Sequence, residues 1–135
     1  MKRTLLTFSL GFLALGAVSC EDNSEEIVRY TVSANKFDSI SIPKDTIAVN
    51  EILNISTFST YKNWCDKFDS FDFRYSTTSL ERKIALRVIN DNMKTCGTAK
   101  SFQNDFPFIP NAAGTYTLKF WLGDDNWYIK DIVVQ

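Results

Sequence analysis

Carboxylates are what this sequence offers for acid–base chemistry. It has no histidine, and so lacks both the commonest general base near neutral pH and the commonest zinc ligand. Asp66, Asp69 and Asp72 recur at every third position, and Asp124 and Asp125 stand side by side. Either group supplies the two carboxylates that a glycoside hydrolase sets around a glycosidic bond. Carboxylates at this density are also ordinary on an acidic surface. No nucleophile with a neighbouring base accompanies them, and the five glycines form no phosphate-binding loop. Asp124-Asp125-Asn126 offers oxygens to calcium, but without the spaced acids of a dedicated loop it reads as a polar hairpin turn. The expectation is a protein that is not an enzyme, with no catalytic residue, metal or cofactor.

The aromatic residues are more informative. Tyr61, Trp64, Trp121, Trp127 and Tyr128 are too many large rings for so small a core, so some must face solvent. Trp121 follows the outward series Thr115, Thr117 and Lys119, whereas Tyr61 and Trp64 lie in the polar connection before Phe71. On one reading Trp64 covers a disulfide and Trp121 packs under a loop, since tryptophan is highly buried on average. On the other they form an exposed patch that marks a binding surface, with Trp121 and Trp127 as its first ligand contacts and Tyr61 and Trp64 as its second. Flat indole faces suit sugar rings and also dominate protein hot spots, so a glycan and a protein partner both stand.

Three cysteines divide unevenly: Cys20, Cys65 and Cys96. Cys20 closes a targeting segment in which Lys2 and Arg3 precede the apolar run Leu5 to Val18 and small residues follow. The run is shorter than the roughly 20 residues that a membrane-spanning helix needs. Ala17-Val18-Ser19-Cys20 resembles a bacterial lipobox, with alanine where leucine is usual. The resemblance implies that residues 1–19 are a lipoprotein signal peptide and that Cys20 is lipidated, so that lipid joins the protein to the membrane. Several acyl chains on one residue anchor stably where one chain holds only marginally. Glu21, Asp22, Glu25 and Glu26 make residues 20–26 a solvated acidic tether. That patch also resembles the signal that sends some lipoproteins to the outside of the bacterial outer membrane, which implies a lipid-anchored, surface-exposed protein. Cys65 and Cys96 remain as one possible disulfide in an exported chain. Its loop of about 30 residues would contribute about 3 to 4 kcal/mol. The alternative is two separate buried thiols.

The chain of 135 residues, 44% of them hydrophobic, is long enough for one core and too short for two domains. A net charge of -1 with no Lys/Arg stripe argues against nucleic acid. From Ile27 onward the hydrophobic period is two. Strands are expected over 51–59 with Leu53, Ile55 and Thr57 inward, over 70–77 with Phe71, Phe73 and Tyr75 set against Asp72, Arg74 and Ser76, and over 83–90 with Ile84, Leu86 and Val88 on one face. Further strands are expected over 102–109, 115–122 and 127–134. Tyr116, Leu118, Phe120 and Leu122 point inward, residues 123–126 form a hairpin loop, and a bulge decides which of Trp127 and Tyr128 faces the core. About seven strands in antiparallel sheets imply an all-β sandwich over residues 27–135.

Pro43-Lys44-Asp45-Thr46-Ile47-Ala48-Val49-Asn50-Glu51, followed by Leu53 and Ile55, and Ala113-Gly114-Thr115-Tyr116-Thr117-Leu118 resemble the first and penultimate strands of bacterial immunoglobulin-like modules. Asn50 stands where many of these have glycine. The resemblance implies an immunoglobulin-like sandwich with Tyr116 in a tyrosine corner, and such folds carry no fixed function. The functional expectation is a lipid-anchored, non-enzymatic envelope module that binds a glycan or protein at the bacterial surface. A structural or accessory subunit of an outer-membrane complex is the alternative, and a small glycoside hydrolase the third reading.

Overall fold

The structure, a computed structural model, describes residues 29–94 and 96–135. The expected signal peptide, lipidation at Cys20 and acidic tether lie outside the described residues. The described chain is all-β, a sandwich of a larger and a smaller sheet. Nine strands occur: β1 (Tyr30–Asn35), β2 (Ser39–Ser41), β3 (Thr46–Ile47), β4 (Leu53–Tyr61), β5 (Lys67–Tyr75), β6 (Glu81–Asp91), β7 (Lys100–Phe108), β8 (Gly114–Gly123) and β9 (Asn126–Val134). The smaller sheet runs β2-β4-β7, and the larger runs β1-β6-β8-β9-β3 with β5 on the other edge of β6.

Alternating sequence becomes alternating burial in the long central strands. In β4, Leu53, Ile55, Thr57, Ser59 and Tyr61 are all buried, and in β6 so are Ile84, Leu86 and Val88. Tyr116, Leu118 and Phe120 of β8 complete the core with Ile132 and Val134 of β9. Between β1 and β2 the chain crosses from one sheet to the other. Its Phe37 amide donates to the Trp121 carbonyl (2.9 Å) and its Asp38 amide to the Phe58 carbonyl (2.7 Å). The Phe37 ring is driven into the core at this crossing, edge-on to Phe120 at 5.8 Å.

The smaller sheet is antiparallel throughout, but the larger one is not. β6 runs parallel to β8, from Glu81 opposite Thr117 to Ile84 opposite Phe120, and β3 runs parallel to β9. Continuation of β8 past Ile84 is prevented by β1, which occupies the same edge of β6 from Leu86 to Asp91. The reading of 70–77 needs one addition. β5 begins at Lys67, and a register shift between Phe68 and Ser70 puts Phe68 on the same side as Phe71 although they are three residues apart.

Tyr116 and Asn50 each take a defined local geometry. The Tyr116 hydroxyl donates to the Ala112 carbonyl at 3.1 Å, as a tyrosine corner does. Asn50 has φ of 64°, a left-handed conformation that glycine or asparagine takes most readily. The Ala48 amide donates to Glu51 Oε2 at 2.8 Å and closes that turn. The parallel β6/β8 pairing, in contrast, is no part of an antiparallel immunoglobulin sheet.

Cys65 and Cys96 are joined as a disulfide, with Cα atoms 5.4 Å apart. Asn63 reinforces the junction: Oδ1 accepts from the Cys96 amide (2.9 Å) and Nδ2 donates to the Lys94 carbonyl (2.8 Å). The bond ties the chain just before β5 to the chain just before β7.

Candidate functional site

The hairpin of β8 and β9 places Trp121 directly across from Trp127. Cross-strand partners share a face. Because Phe120 and its partner Tyr128 face the core side, both indoles lie on the outer face of the larger sheet. Tyr128 thus takes the inward position, with its ring 6.4 Å from Phe120. The turn that fixes the pair needs unusual backbone: Gly123 has φ of 101° and Asp124 of 48°. The Trp121 indole N–H donates to the Asp124 carbonyl at 2.9 Å, which holds the half-buried ring at the turn.

Neighbouring strands build a shallow concavity around this pair, about 330 Å³ in volume. Ala85 of β6 and Ala34 of β1 form a low floor, and Asp72, Arg74 and Lys83 form a polar rim. Arg74 is held by Asp72 through Nε (3.1 Å) and Nη2 (2.8 Å), which raises the guanidinium pKa further above its ordinary value. Lys83 Nζ sits 5.8 Å from the centre of the Trp127 ring. Glu81 binds Lys119 at 2.6 Å and lies 3.7 Å from Lys83. Its carboxyl is held below the ordinary range, chiefly by the Lys119 hydrogen bond. The result is a half-buried aromatic wall, a floor without bulky side chains and a rim of charged donors and acceptors. It can stack against a flat ligand and hydrogen-bond at the ligand's edge.

The second pair separates. Tyr61 does not belong to the polar connection. It is the last residue of β4 and is 2% exposed, because the inward alternation of that strand runs two residues further than expected. Its ring stacks on Phe102 at 4.5 Å, its hydroxyl accepts from Asn104 Nδ2 at 2.9 Å, and burial pushes the phenol pKa up. Trp64 is in the loop and is 55% exposed. Its indole lies against Gly97 so closely that a Cβ there would approach Nε1 to 2.8 Å, so Trp64 covers the chain beside Cys96.

The acids do not converge. Asp66 is buried and lines a cleft with Trp64, Asp69 lies 3.8 Å from Arg87, and Asp72 is tied to Arg74. Asp124 and Asp125 are exposed in the hairpin turn. Among the described residues no group of three or more acids and cysteines is placed to hold a metal ion. Sequence reasoning missed Ala34, Ala85, Asp72, Arg74 and Lys83 as neighbours of the tryptophans. One signal was available: alanine is a poor strand residue at a solvent-facing position, and two such positions suggest a surface kept low.

No protein-family model, curated protein or solved structure matches this chain.

Proposed function

We propose that this chain is a lipid-anchored, non-enzymatic module of the bacterial outer membrane that binds a glycan on the face built around Trp121 and Trp127. One observation carries the reading: two cross-strand indoles face outward beside an alanine floor and a rim of Asp72, Arg74 and Lys83. A sugar ring offers an apolar face to the indoles and hydroxyl groups to the rim, so both parts of the site have work. The anchor is Cys20, and Cys20→Ala is expected to move the protein from the membrane to the soluble fraction.

The test follows tryptophan emission of the full-length protein during titration with soluble oligosaccharides. A ligand is expected to change the emission, and Trp121→Ala or Trp127→Ala should each weaken its binding about tenfold. If sugars have no effect but a detergent-extracted envelope protein binds wild type and not Trp121→Ala, the partner is a protein. That outcome is the accessory-subunit reading, which the exposed Ile129 and Val133 of β9 favour. No response to either ligand removes this face as a site.

A further inference from the structure

The other concave region lies at the open seam between β5 and β7, which are edge strands of different sheets. Phe71, Phe73 and Tyr75 turn toward the smaller sheet, yet Phe73 is 39% and Tyr75 67% exposed. Phe106 is the residue that reaches them from β7, with its ring 5.1 Å from Phe71 and 5.6 Å from Phe73. The seam is a groove of about 730 Å³, within the ~300–1,000 Å³ typical of small-molecule sites.

One charge enters this aromatic groove. Arg82, opposite Tyr75 in the register, lies 5.7 Å from the Tyr75 ring centre and 5.1 Å from that of Tyr116. Its Nη1 donates to the main-chain carbonyls of Ser79 (3.3 Å) and Glu81 (2.9 Å), which fixes the guanidinium. The groove lining contains no carboxylate. Among the described residues Arg29, Arg74 and Arg87 each have an acidic partner, and Arg82 has none. A guanidinium held between rings, with no acid beside it, is complementary to an anion. Addition of a peptide strand is disfavoured on the β7 side, because Pro107 has no amide N–H to offer and interrupts that edge.

We propose that this groove binds an amphiphilic monoanion, with an apolar body against Phe71, Phe73 and Phe106 and its acid group on Arg82. The body is aromatic or acyl, and the acid is a carboxylate or an equivalent singly charged group. The site is separate from the tryptophan face and stands or falls without it.

The experiment uses the full-length protein with anilinonaphthalene sulfonate as a fluorescent probe and four competitors below their micellar concentrations: dodecanoate, naphthoate, dodecanol and dodecyltrimethylammonium. At least one acid is expected to displace the dye at a concentration tenfold or more below that needed for the alcohol or the ammonium ion. The better of the two acids tells whether the body is acyl or aromatic. Arg82→Gln should weaken acid binding about tenfold or more and leave dodecanol unchanged, while Arg82→Lys should retain part of the preference. Phe73→Asp alters an exposed position, so it tests the groove even if Arg82→Gln does not fold, and it should abolish acid binding. Trp121→Ala should change none of these affinities. Equal competition by acid and alcohol, an unchanged acid preference in folded Arg82→Gln, undiminished acid binding in Phe73→Asp, or loss of binding in Trp121→Ala would each overturn the proposal.

Discussion

β8 and β5 carry the same kind of pattern and meet different fates. In β8, Tyr116, Leu118 and Phe120 alternate with polar residues and are 1%, 0% and 0% exposed. In β5, Phe71, Phe73 and Tyr75 alternate just as cleanly, but burial fades along the strand until Tyr75 is mostly in solvent. What differs is the layer across the gap. Phe120 and Tyr116 meet Phe106 and Phe108 of β7, with ring centres 6.1 and 5.3 Å apart, whereas β7 is the last strand of its sheet and, in ring contacts among the described residues, Phe106 is what reaches back toward β5. Alternation fixes the side toward which a residue points. Whether that side is covered depends on how many strands the opposite sheet holds, and a three-stranded sheet cannot cover a wider one.

This contrast is easiest to break with paired truncations. Phe120→Ala is expected to cost about 3 to 5 kcal/mol in chemical denaturation, because it leaves a cavity with no route for collapse. Phe73→Ala, with much of its ring already in water, should cost about 1 to 1.5 kcal/mol. Equal losses would mean that the seam is closed in solution. Next in size is the disulfide. Replacing both Cys65 and Cys96 by serine should lower stability by about 3 to 4 kcal/mol. It should also raise protease cutting in and beside β5 more than in β8, since the bond fastens together the strands that border the seam. Uniform protection would assign the disulfide a purely global effect.

The smallest effect expected is that of acid. Glu51 is held below its ordinary range by its hydrogen bond to Lys44 and then by the Ala48 amide, Glu81 by Lys119, and Asp105 by Gln103 and Ser56. A depressed folded-state value gives stability above the unfolded-state pKa that is lost as pH falls through the folded one. The denaturation midpoint should therefore decline below about pH 4. The loss should be modest, because all three groups are at the surface. Glu51→Gln should flatten part of that decline, and a midpoint that rises toward low pH would contradict the sign.

The long strands were legible because β4, β6 and β8 each combine period-two alternation with β-rich composition, and the residues expected to face inward do so, with Ser59 and Tyr61 added at the end of β4. The Cys65/Cys96 pair was legible as one of two options, since an odd cysteine count narrows the choice without showing geometry. Other features were hidden for physical reasons. β2 and β3 span three and two residues, too few for a period to register. The irregularity near Asp69 breaks the alternation that would have joined Phe68 to Phe71. The parallel pairing of β6 and β8 depends on where the chain returns after β7, and no local pattern records it. The outward position of Trp121 was readable from Thr115, Thr117 and Lys119, whereas that of Trp127 was left open by the bulge, and the neighbours of both on β1, β5 and β6 come from distant parts of the chain.

The direction of β6 sets how far each surface stands from the start of β1. β1 starts at Tyr30, paired with Asp91 at the last residue of β6, while Arg82 lies near the first. At ~3.3 Å per residue that interval is on the order of 30 Å, with Ala85 and the tryptophan face at an intermediate height. Under the proposed lipid anchor on Cys20, with its acidic tether expected over residues 20–26, Tyr30 would be the foot of a post. The groove would then sit near its top, farthest from the bilayer, and the tryptophans would open sideways from the middle. One ligand would be met from above the membrane and the other along it.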